Sequence, residues 1–148
     1  MNRVNLSEIV KFVNVELPDI LTAAAHESAE INTIGFNSAE LLVQLGVLEE
    51  TTTVDVVVSH CATSGGSFAT LFTATQVALA GDETVYYLDI DLMNPNINPY
   101  LQVTITVGND VCDGAALMLL GHARREAVTQ PSGTSALAGD WASGINPS

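Results

Sequence analysis

Basic residues are nearly missing from this sequence. Its 148 residues hold four, Arg3, Lys11, Arg124 and Arg125, against seventeen acids, for a net charge of −13. No basic residue lies between Lys11 and Arg124. Such a chain offers no positive surface to phosphates, which argues against nucleic acid and anionic membranes as partners. Long apolar runs are also missing: nothing approaches the ~20 uninterrupted residues of a membrane span. Glu8 and Lys11 interrupt the N-terminal apolar pattern, against a signal peptide. The expected product is soluble in the cytoplasm where it is made, or released by lysis.

Cysteine and aromatics are sparse too. Cys61 and Cys112 are too few for a disulfide framework. Each adjoins strand-like sequence, where a free cysteine behaves as a small hydrophobe. A bridge between them depends on a geometry that sequence does not supply. Aromatics make up 5 % of the chain, with one tryptophan. Sugar platforms need exposed aromatic rings, and in a strand the adjacent Tyr86 and Tyr87 point opposite ways. A carbohydrate-binding β-sandwich module is therefore a secondary reading.

Catalytic signatures are absent. No G-x-S-x-G elbow occurs, and three scattered histidines supply no base for a nucleophile. "CATSGGSF" at 61–68 lacks the lysine of a phosphate loop and reads as a hairpin turn whose glycines take positive φ. His60, Cys61, Cys112 and His122 lack the spacing of structural zinc sites. The expectation is a protein with no catalytic site, metal or cofactor.

What the sequence does have is 47 % hydrophobic residues and a mean hydropathy of +0.31, with only 14 % charged. That excludes a disordered chain and suits one domain with its own core. Leu6, Ile9, Val10 and Val13 recur at helical spacing, so Leu6–Ala25 reads as helix, although "VNVEL" also fits a strand. "PDILTAAAHESAE" reads as a second short helical piece. From Ile31 the pattern becomes short Val/Ile/Thr/Tyr-rich runs between Gly/Asn/Asp/Pro turns, which points to a mainly β fold. The expected form is an antiparallel β-sandwich or jelly-roll-like barrel. Residues 1–27 form a helical or extended arm, 28–126 the sandwich, and 127–148 an extended Ser/Gly/Ala/Pro-rich tail with Trp141 as its anchor.

Two aspartates interrupt "TVYYLDIDL" at 84–92. Alternation places Val85, Tyr87, Asp89 and Asp91 on one face and Tyr86, Leu88, Ile90 and Leu92 on the other. The apolar set belongs to the core, so the aspartates face outward as a solvated face, with a structural cation as the alternative. Arg124 and Arg125, the only basic pair, suit docking against a carboxylate of a neighbouring subunit.

Taken together, "TVYYLDIDLMNPNINPYLQVTITVG" and the following "GAALMLLGHARREAV" resemble small head proteins of tailed bacteriophages, over roughly residues 54–128. The resemblance implies a capsid cement or decoration protein that binds the outer surface of the head as a homotrimer. There it would clamp junctions between major capsid protein subunits. A tail or neck component is the alternative within the same class. The excess negative charge suits the outside of a DNA-filled shell better than its interior. The side chains expected at partner interfaces are Leu6, Ile9, Phe12 and Val13 on the N-terminal segment, and Arg124, Arg125 and Trp141 toward the C-terminus.

Overall fold

A computed structural model describes residues 10–121, 134–143 and 145. Its strands alternate buried and open positions where the sequence alternates apolar and polar ones. β1 (Val10–Leu21), β2 (Ala25–Glu27), β3 (Ile31–Asn32) and β4 (Ser38–Leu48) come first. β5 (Thr53–Cys61) and β6 (Ala69–Ala74) follow as a hairpin, then a short 3-10 turn at Leu79–Gly81. β7 (Val85–Asp91), β8 (Tyr100–Gly108), β9 (Cys112–Gly121), β10 (Thr134–Ala136) and β11 (Gly139–Trp141) complete the described chain.

The strands form two open sheets. One has five strands in the order β1-β9-β4-β7-β10; the other runs β11-β6-β5-β8-β2, with β3 also paired to β8. All pairings are antiparallel except that of β10 with β7. Neither sheet closes on itself, so the jelly-roll-like barrel gives way to a sandwich. Val54, Val56 and Val58 of β5 and Leu101, Val103, Ile105 and Val107 of β8 point inward from one sheet. Leu41, Val43 and Leu45 of β4 and Met118 and Leu120 of β9 belong to the same core from the other. Burying each such side chain is worth about 1.5–3 kcal/mol.

The helix expected over Leu6–Ala25 is corrected: its described part is β1, which pairs with β9 along its length. Register shifts between Asn14 and Glu16 and between Glu16 and Asp19 break the period of two. Phe12, Leu17 and Ile20 are apolar but exposed, so apolar spacing does not mark the buried face of this strand. The second helical piece is corrected as well, since Ala25–Glu27 is β2 on the edge of β8. Toward the C-terminus, β10 joins one sheet and β11 the other, with Leu137 between them and Ile145 beyond, both in the core.

The hairpin expected at the glycine pair is present, with Gly65 at φ +69° and Gly66 N–H donating to Thr63 O at 3.0 Å. Glu30 holds its tip. One carboxylate oxygen accepts from Ser64 Oγ at 2.6 Å and the other from the Gly65 N–H at 2.8 Å. Those two bonds, Ser64's first, hold the Glu30 carboxyl below its ordinary pKa. Because the folded value is depressed, the latch is intact above the ordinary carboxylate range and is lost as pH falls through the folded pKa. Glu30→Ala is expected to speed exchange of the Gly65 amide while leaving strand amides protected. Unchanged exchange at Gly65 in that variant would show that the carboxylate does not hold the loop.

Candidate functional site

The two aspartates of β7 face away from the core. Leu88 and Ile90 are buried and Tyr86 and Leu92 pack on the core, while Asp89 and Asp91 face out, as alternation requires. Asp91 Oδ1 accepts from the Met93 N–H at 3.0 Å and shapes the turn that leaves the strand. Asp89 stands opposite Glu40 of β4 on the outer face. Among the described residues no group of three His, Cys, Asp or Glu is placed to hold a metal ion.

The described histidines are engaged with backbone. Buried His60 accepts the Asn98 N–H at Nδ1 over 3.0 Å, which puts its ring proton on Nε2. Burial lowers its pKa. His26 Nε2 lies 3.0 Å from Thr22 O. Both cysteines are free and buried. They belong to different sheets, Cys61 on β5 and Cys112 on β9. Cys61 Sγ donates to Thr63 O at 3.2 Å. Burial, and then the Asp113 charge, push the Cys112 thiol above its ordinary pKa. A disulfide-exchange reagent is therefore expected to label neither thiol quickly in the folded protein, and both at once in urea. A fast native equivalent would place one of them at the surface.

Of the residues expected at interfaces, the described ones are Phe12 and Val13 on β1 and Trp141 on β11. Phe12 projects from the outward face of β1 and is 49 % exposed, whereas its neighbour Val13 packs against the core. Trp141 on β11 meets Phe72 edge to face, with ring centroids 5.1 Å apart. Leu6, Ile9, Arg124 and Arg125, like His122, lie outside the described residues.

Sequence reading missed a cleft of about 450 Å³ on the five-stranded sheet, lined by Asp19, Ile20, Gln44, Leu45, Gly46, Asp113, Gly114 and Ala115. It forms where the register of two strands slips, in β1 before Asp19 and in β4 between Leu45 and Leu48. Ile20 and Asp113 are cross-strand partners, as are Asp19 and Gly114. Gly46 keeps the wall thin, because a Cβ there would stand 2.8 Å from the Cβ of Asp113. Exposed apolar side chains cluster around it in the chain. Ile20 is 60 % exposed and Leu17, two residues before Asp19, 62 %. Val47 follows Gly46, and Val111 precedes Asp113 by two; they are 54 % and 41 % exposed. No local motif signals this site, since its parts come from three strands.

Two open, antiparallel-dominated sheets packed face to face define a β-sandwich protein. The PBSX exported protein XepA has a similar structure, with a TM-score of 0.56 at 11 % identity over 88 % of this chain and 43 % of XepA. This chain thus spans less than half the length of XepA. The SPBc2 prophage-derived protein YomS matches at a TM-score of 0.44 and 14 % identity, over 80 % of this chain and 98 % of its own. A family two carbohydrate esterase from Cellvibrio japonicus matches at 0.33 and 13 %, over 83 % and 37 %. At these identities the likeness to XepA concerns the fold. No protein-family model matches the sequence, and no curated protein matches significantly.

Proposed function

We propose that this is a structural protein of a tailed-phage particle, a cement or decoration protein on the outer surface of the head. In this role it acts as a homotrimer that bridges neighbouring major capsid subunits. The observation that carries the reading is a body with a net charge of −13 that also exposes large apolar side chains. Phe12, Leu17, Ile20, Val47 and Val111 on the five-stranded sheet and its end stand in water without forming part of the core. We assign these exposed apolar side chains to a contact surface, and the described histidines and Cys61 have backbone partners. The resemblance of residues 54–128 to phage head proteins gives that contact surface a partner.

Binding across a junction favours the assembled shell by the free energy of its contacts. A trimer multiplies modest individual affinities. Phe12 and Trp141, with Leu6, Ile9, Val13, Arg124 and Arg125, are the side chains assigned to subunit contacts. The test is co-sedimentation of the purified protein with expanded phage heads lacking decoration, together with its mass by light scattering. Saturable binding by a trimer supports the assignment. A stable six- or twelvefold ring that ignores heads would move the protein to the neck or tail.

A further inference from the structure

We infer that the cleft between β1, β9 and β4 is a docking groove for a segment of a partner protein that inserts an arginine or lysine between apolar neighbours. This deepens the reading of the protein as a clamp on other subunits, and it rests on that reading. The cleft's volume lies in the range of pockets that bury a small ligand or side chain. Asp19, whose Oδ1 accepts the Ile20 N–H at 2.7 Å, and Asp113 belong to its lining, beside the exposed Ile20. A guanidinium or ammonium on an aliphatic stem matches both, its charge meeting the carboxylates and its methylenes lying along Ile20. Leu17, Val47 and Val111, exposed within two residues of lining residues in the chain, are assigned to the segment on either side of the inserted cation.

Charge selects the kind of partner. The field of a body with thirteen excess negative charges attracts a basic segment and repels an acidic one. A second copy brings the same excess. A metal ion is the weaker occupant, because among the described residues no third His, Cys, Asp or Glu is grouped with Asp19 and Asp113.

The experiment is an NMR amide titration of the full-length protein with the capped probe peptide Leu-Val-Arg-Val-Leu, beside the same peptide carrying Glu for Arg. The expected result is a set of shifts centred on Asp19, Ile20, Gly46 and Asp113–Ala115 with the Arg peptide alone. Asp113→Asn and Ile20→Ser should each weaken it about two- to fivefold, the scale of an exposed contact. Added salt should weaken it further. Equal shifts from both peptides, shifts elsewhere, or no shifts at millimolar peptide would overturn the groove. Calcium producing the same shifts at lower concentration would also overturn it, in favour of a cation site. Head binding separates the two readings. Wild-type protein that binds heads but not the Arg peptide loses the groove and keeps the clamp. Protein that binds the peptide in the cleft but ignores heads keeps the groove and loses the capsid partner.

Discussion

Phe72→Ala is expected to destabilise the protein by about 3–5 kcal/mol, the usual cost of removing a buried phenylalanine. Phe72 is 1 % exposed on β6 and packs against Trp141 of β11. The substitution therefore opens a cavity and removes the platform on which the C-terminal strand rests. Trp141 is the only tryptophan, so its emission reports that strand directly. In urea titrations the midpoint should fall, with Trp141 emission shifted to the red before the main transition. Gly139→Ala isolates the second part of the effect. A Cβ on Gly139 would collide with the backbone at Thr73 O and Ala74 Cα, atoms that cannot rotate away. Its expected signature is the same red shift with a smaller loss of global stability. An unaltered spectrum in both variants would mean that β11 does not pair with β6.

The second large effect is loss of stability in mild acid. His60 is 7 % exposed and uses Nδ1 to accept the Asn98 N–H. Protonation replaces that acceptor with a donor facing a donor, and it buries a charge. Burial accordingly depresses the folded pKa. A depressed folded value means that the unfolded chain binds the proton first as pH falls. Titration of His60 therefore leaves stability unchanged above its ordinary value of about 6.5. Below it, stability declines as pH drops toward and through the folded pKa, with a slope of at most about 1.4 kcal/mol per pH unit for one proton.

The segment at risk joins β7 to β8. It places Ile97 in the core, and its Asn94 side chain donates to Ile145 O at 3.3 Å. Thr33 holds its other end through Pro99 O. Urea unfolding across pH 7 to 5 should show the decline in wild type and a flatter profile in His60→Asn, whose Oδ1 takes the place of Nδ1 as acceptor but does not titrate. Identical profiles would assign the acid sensitivity to other groups.

Much of the β pattern is written in adjacent residues. β5, TVDVVVSHC, and β8, YLQVTITVG, alternate apolar and polar positions, and alternation needs no partner to be read. The same logic placed Asp89 and Asp91 outside and Leu88 and Ile90 inside. It also marked the Gly65 turn and the charge that governs what this surface attracts. Trp141 was legible as the anchor of its segment because a lone large ring in Ser/Gly/Ala sequence has little else to bury against.

The rest depended on partners far away in the chain. β1 is not legible as a strand because it also carries exposed apolar residues, Phe12, Leu17 and Ile20, and the strand that pairs with it, β9, lies about a hundred residues on. β10 and β11 are three residues each, too short for any periodicity. They are strands because β7 and β6 offer them free edges. The cleft follows the same rule. Asp19, Gly46 and Asp113 are unremarkable on their own strands, and only strand pairing, with its slips in β1 and β4, brings two aspartates and the exposed Ile20 around one space. Composition and alternation are properties of a stretch of chain, so the sequence by itself settled the β class, the core faces and the acidic surface. Register, sheet order and the cleft arise from backbone pairing across long loops, and those only the tertiary structure decided.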